Sequence, residues 1–180
     1  MAFASPISPF DPDGQDWWSK GCSGLTQRFC GVGRFLREFT THLRFGRLSR
    51  SPLHLTRLLI DEDKADCDWI ARQQDPWDAD LPGDIGRRHA SLQALKDAID
   101  VRSLLFANLP DLRRARFRVY RELRDHSREL IIEGNLRRDD DVYRSVHSLA
   151  MRAKLVGFRF DMEDGFLRRI CRDEQFGLGD

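Results

Sequence analysis

Arg113-Arg-Ala-Arg-Phe-Arg-Val-Tyr-Arg-Glu-Leu123, then Arg124-Asp-His-Ser127, then Glu129-Leu-Ile-Ile-Glu-Gly-Asn-Leu-Arg-Arg138 read as strand, turn and strand, and this hairpin decides the fold. Successive side chains of a strand point to opposite faces. Ala115, Phe117 and Val119 therefore face one way, while Arg114, Arg116, Arg118 and Tyr120 face the other. In the partner strand Leu130-Ile-Ile132 is apolar on both sides, which suits a central strand, and Gly134 marks a bulge or a close backbone approach.

Working outward, Leu92, Leu95, Ile99, Phe106 and Leu109 predict a helix over about 86–108, stopped by Pro110, with Arg102 interrupting its apolar stripe. Before it, Leu53, Leu55, Arg57 and Leu59 alternate, the run Asp61-Glu-Asp-Lys64 has the polarity of a turn, and Ala65 to Arg72 completes a first hairpin. Cys67 and Trp69 share one face of its second strand, and Asp66, Asp68 and Ile70 share the other. After the central hairpin, the carboxylates of Asp139-Asp-Asp141 suit a helix N-terminus. Val142, Val146, Leu149, Ala153 and Val156 continue that helix, and Gly157 is placed to end it. Phe158-Arg-Phe160 and Phe166-Leu-Arg168 flank a Gly-containing turn and predict a final hairpin.

Nearer the start, Leu25, Phe29, Val32, Leu36, Phe39 and Leu43 recur at intervals of 4, 3, 4, 3 and 4, which sets all six on one face of a helix and predicts that Leu36 is buried if the helix docks. Arg34, Arg37 and Arg44 lie outside that stripe, and Gly31 and Gly33 weaken the helix. The expected fold is α+β: a mostly antiparallel sheet built as strand-strand-helix twice and then a hairpin, with helices on one face and an N-terminal amphipathic helix added. The expected organisation is a flexible tail over 1–24, a basic amphipathic helix and connector over 25–50, the α+β domain over 51–172 and a C-terminal tail over 173–180. From Gly86 to Phe160 the element order, with Ile131-Ile-Glu-Gly134 and the segment from Ser148 to Gly157, resembles the small bacterial BON domains. The likeness spans less than half of the chain and rests on order and two glycines, so no function is carried over from it.

Composition narrows the function. The chain has 180 residues, is 41% hydrophobic and 33% charged, and has a formal charge of +1, so steering toward nucleic acid or an anionic membrane must come from local patches. Its Cys residues, at 22, 30, 67 and 171, lack zinc spacing and disulfide-scaffold density, which favours reduced thiols and a cytoplasmic setting. No apolar run is long enough to span a bilayer, and Met1 to Phe10 lacks the basic flank and apolar centre of a secretory signal. The five histidines are dispersed, Gly31-Val-Gly33 is too short for a phosphate loop, and Asp78 to Asp84 lacks the bidentate carboxylate of a calcium loop. No cofactor or metal is expected, and an enzyme with a site assembled from dispersed residues is the least favoured reading.

Charge is segregated instead. From Lys20 to Arg57 eight Lys or Arg stand against Glu38 alone, whereas from Asp61 to Asp84 nine Asp or Glu stand against Lys64 and Arg72. Blocks of opposite sign either neutralise one another or present surfaces to partners. The favoured reading is a non-enzymatic module that binds another protein or a second copy of itself. Arg34, Arg37 and Arg44 would form one side of its surface, and the acidic loop bearing Trp77, Asp78 and Asp80 the other. The alternative is single-stranded nucleic acid held on Arg114, Arg116, Arg118 and Tyr120, through phosphate contacts and base stacking.

Overall fold

The computed structural model describes residues 16–74, 80–140 and 143–170, with the side chains of the first helix from Arg28 onward. Element order is α1 (Asp16–Thr41), β1 (His54–Asp61), β2 (Lys64–Ile70), α2 (Gly83–Asn108), β3 (Arg114–Glu122), β4 (Arg128–Arg137), α3 (Leu149–Val156), β5 (Phe158–Arg159), β6 (Asp161–Glu163) and β7 (Phe166–Arg168). β1 to β5 form one sheet in sequence order, and β6 pairs with β7 in a separate small sheet. The fold is α+β with a mostly antiparallel main sheet. β2 and β3, joined through α2, run parallel.

That pair sets the two faces of the sheet. The register aligns Ala65 with Ala115, Cys67 with Phe117 and Trp69 with Val119, and all six are buried in the core. Val119 in turn faces Ile132 of β4. Helices supply much of the remaining core: Phe35 and Phe39 from α1, Ala94, Leu95, Ala98, Ile99, Val101, Leu105 and Phe106 from α2, and Ala153 and Val156 from α3. Phe117 sits among Trp69, Phe106 and Phe158 at centroid distances of 6.0, 6.5 and 6.0 Å. Tilted and edge-on aromatic contacts of this kind add to the area buried.

The α1 stripe is rotated from its sequence expectation. Phe35, off the 4-3-4-3-4 stripe, is fully buried, while Leu36 is 38% exposed and Phe29 is 75% exposed. The cause is the approach of α1 to α2 at Gly31, where an added Cβ would lie 2.6 Å from the Asn108 carbonyl oxygen. Backbone contact at Gly31 brings Phe35 and Phe39, on the same side of the helix, into the core. The Asn108 amide then donates to Glu38 at 2.9 Å. Val32 and Leu43 are partly buried at the flank of this contact.

α3 begins at Leu149 rather than near Asp139. Ser148 is its N-cap, accepting from the Met151 N–H, and Gly157 at φ 105° ends it. The acidic run serves the preceding turn instead: the Asp140 carboxylate accepts from the Arg137 N–H at 2.7 Å, and the Asp140 carbonyl accepts from Arg102 at 2.7 Å. Val142 lies outside the described residues, and Val146 stands before the helix in a turn whose N–H bonds the Tyr143 carbonyl. The final hairpin is also rearranged, because Phe158 and Arg159 join the main sheet beside Gly134 and Glu133, leaving Asp161–Glu163 to pair with Phe166–Arg168. Gly134 makes room for this: a Cβ there would lie 3.0 Å from the Phe158 ring.

Three arginines are structural. Arg102, 3% exposed, donates to the carbonyls of Arg137, Arg138 and Asp140. Arg138 donates to the carbonyls of Leu112, Phe106 and Leu109, tying the end of β4 to the end of α2. Arg72 is 4% exposed; it pairs with Asp97 of α2 at 2.9 Å and donates to the carbonyls of Leu43, Arg44 and Ser51. Gln93 completes this network, donating to Asp97 at 2.8 Å and accepting from the Leu48 N–H at 2.7 Å. The connector between α1 and β1 is thus fastened by polar bonds to β2 and α2.

Candidate functional site

The residues singled out from sequence fall in three places. Arg34 and Arg37 are exposed on α1, away from the core-facing side, and Arg44 is exposed in the connector with its guanidinium 5.3 Å from the centroid of the Phe45 ring. Phe45 is 61% exposed and Leu48 is 38% exposed. Trp77 and Asp78 lie outside the described residues. Asp80 is exposed just before α2. α1 meets α2 near Asn108, at the far end of a helix that begins at Gly83. From there the chain runs back along α2, and Gly46 of the connector packs against Gln93.

Arg114, Arg116, Arg118 and Tyr120 lie on the open face of β3, as alternation predicts, but their neighbours were not legible. The parallel register sets Asp66 beside Arg116 and Asp68 beside Arg118. Arg118 grips the Asp68 carboxylate with two bonds of 2.8 Å and has Asp66 at 3.9 Å. Burial pulls the Arg118 pKa down, yet the Asp68 hydrogen bonds and charge outweigh it and hold the pKa above its ordinary value. Arg114 has Asp63 at 3.9 Å, and across the sheet Arg159 has Glu133 at 3.6 Å. Asp63, Asp66 and Asp68 of the acidic block are therefore met by strand arginines. Among the described residues no ion pair joins Lys20–Arg57 to Asp61–Asp84, and Arg34, Arg37, Arg44 and Arg47 enter none.

One end of this face stays basic. Arg113, Arg114 and Arg137 border a depression that adjoins another lined by Lys64, Arg116 and Asn135, the two sharing Arg114 and Arg137. At the opposite end, outside the carboxyl ends of the parallel strands β2 and β3, lies a cleft of about 870 Å³. Crevices in this position are common ligand sites in sheets with parallel strands. Its charges are largely matched within the fold: Arg121 pairs with Glu129, Glu122 accepts from Gln73 at 3.4 Å and faces His126 at 3.3 Å, and Arg168 pairs with Glu163 at 2.7 Å. Arg87 stacks over Phe166 at 4.8 Å. Sequence reading missed this cleft because it depends on the parallel pairing of distant strands.

Among the described residues no group of His, Cys, Asp or Glu converges to hold a metal ion, and no helix is long and apolar enough to cross a membrane. The buried Cys67 thiol is pushed well above its ordinary pKa by desolvation and then by the Asp68 charge, so it lacks the thiolate character that a nucleophile needs. No protein-family model, curated protein or solved structure matches the chain closely enough to place it in a family.

Proposed function

We propose that the protein is a non-enzymatic binding module that receives an acidic, apolar-bearing segment of another protein on the outer side of α1 and its connector. The observation carrying this reading is the combination of Phe29, 75% exposed, and Phe45, 61% exposed, with Arg34, Arg37, Arg44 and Arg47, which enter no ion pair among the described residues. Docking of α1 takes up only one flank of its apolar arc. Exposed aromatics beside arginine are the residue types that dominate binding energy at protein interfaces. The stacked pair Arg44–Phe45 offers both in one place.

The test is quantitative capture of partners from a cell extract by the full chain and by the variant Arg34→Glu/Arg37→Glu/Arg44→Glu. A partner of acidic character that is retained by the first and lost by the second, with capture weakening as salt rises, supports the reading. Equal retention by both refutes it.

A second reading, nucleic-acid binding, draws on the adjoining basic depressions around Arg113, Arg114, Arg116 and Arg137. It is disfavoured by Arg118, one of the three ladder arginines, being occupied by Asp68. Asp63, Asp111 and Asp139 also lie in the same basin and offset part of its charge.

A further inference from the structure

We propose that β1 pairs with β1 of a second copy of this chain, antiparallel about a twofold axis at Leu59, joining two five-stranded sheets into one. Among the described residues β1 is an edge of the main sheet that bonds only β2, whereas the opposite edge, β5, is two residues long. Long open edges are templates for another strand. β1 is closed onto β2 by the two-residue turn Glu62–Asp63, with Asp61 opposite Lys64. In such a hairpin the closing pair is hydrogen-bonded and the pattern alternates from there. Residues 57, 59 and 61 therefore turn their peptide groups toward β2, and Leu58 and Ile60 turn theirs outward.

The sequence of that edge is self-complementary about Leu59. Antiparallel pairing centred there sets Leu59 against Leu59 of the second copy, and Arg57 against Asp61 of the second copy, twice by symmetry. All three residues lie on the open face; Arg57 and Asp61 are exposed, and Leu59 is 51% exposed. Among the described residues neither Arg57 nor Asp61 enters an ion pair, so each holds an uncommitted charge that the other would meet. On the helix side Leu58 would oppose Ile60 of the second copy. Both are only partly buried against the core and would gain cover. Leu58 and Ile60 are also the residues whose outward N–H and C=O groups would close the ladder. Moving the axis by one residue sets Leu59 against Arg57 or Asp61 and loses the match. The bulge between Leu55 and Arg57 limits the pairing to residues 57–61.

The test is sedimentation of the full chain at about 100 µM, a concentration at which a dimer of micromolar dissociation constant is formed. The wild type is expected to be a dimer. Arg57→Asp and Asp61→Arg each place like charges opposite one another and should weaken the dimer by about tenfold or more. The double exchange Arg57→Asp/Asp61→Arg should restore it, with unchanged circular dichroism throughout. A wild type that stays monomeric overturns the proposal, as does a dimer indifferent to either single reversal or not restored by the double one. A second measurement does not depend on affinity changes. With the other cysteines replaced by Ser, Leu59→Cys should form an intermolecular disulfide on mild oxidation, since cross-strand Cβ atoms at such a pair are about 4.5–5.5 Å apart. Failure to cross-link overturns the placement of the axis. The α1 surface is untouched by these variants, so loss of the dimer and loss of partner capture are separable results.

Discussion

Replacing Arg72 with Met is the most informative single perturbation of the fold. The Arg72 and Asp97 side chains are 1% and 2% exposed, and Arg72 supplies the bonds to Asp97 and to three carbonyls of the connector. Removing one partner of a buried pair leaves an uncompensated charge and costs about 3–5 kcal/mol. The connector carbonyls have a path to water once loosened and add about 1 kcal/mol. A loss of about 4–6 kcal/mol is a large part of the roughly 5–15 kcal/mol that holds a domain folded. It should lower the melting temperature by about 8–24 °C in a chain of this size. Burial first, and Asp100 more weakly, raise the Asp97 pKa, while Arg72 and Gln93 pull it back. A carboxyl whose folded pKa lies above its unfolded value contributes stability that is complete below the unfolded value and lost as pH rises through the folded one. Without Arg72 that pKa climbs further. The deficit of Arg72→Met relative to the wild type should therefore narrow as pH falls from 7 toward the ordinary carboxylate range, because Asp97 takes up a proton on the way. Urea unfolding of both proteins across this pH range is the assay. A loss under about 1 kcal/mol at pH 7, or a deficit that widens on acidification, refutes the account of this network.

Other outcomes follow from burial and pairing. Phe35→Ala should cost about 3–5 kcal/mol of stability, whereas Leu36→Asp, on the exposed flank of α1, should change it by under about 1 kcal/mol; thermal unfolding of the two variants reads the contrast. Cys30 is exposed and Cys67 is buried, so a thiol reagent followed by peptide mass spectrometry should label Cys30 in the native state and Cys67 only on unfolding. Titration with labelled single-stranded RNA and DNA should give no micromolar affinity at physiological salt. Micromolar, salt-dependent binding that disappears in Arg114→Ser/Arg116→Ser/Arg118→Ser would restore the nucleic-acid reading.

What was legible in the sequence follows the range of the interactions involved. Alternation over Arg114–Tyr120 sorted Ala115, Phe117 and Val119 into the core and the arginines onto the open face, because a strand's two faces are fixed by its own backbone. The phase of α1 was not legible. Its apolar residues cover a wide arc, and which part is buried was decided by the close approach of Gly31 to Asn108. The neutralisation of Arg118 by Asp68 depends on two strands fifty residues apart meeting in parallel, which no local pattern announces. Arg72, Arg102 and Arg138 resemble ordinary surface cations in sequence, since the carbonyls that bury them come from chain ends brought together only in the folded state. Acidic residues suit a turn as well as a helix N-terminus, so Asp139 and Asp140 do not mark the start of α3.

The central claim is that α1 has two uses, one flank holding the core and the other receiving a partner. The most direct test is partner capture by Phe29→Asp, with the melting temperature recorded on the same sample. The account predicts a melting temperature within about 2 °C of the wild type and capture reduced about tenfold or more. Undiminished capture, or a melting temperature that falls as far as that of Phe35→Ala, would contradict it.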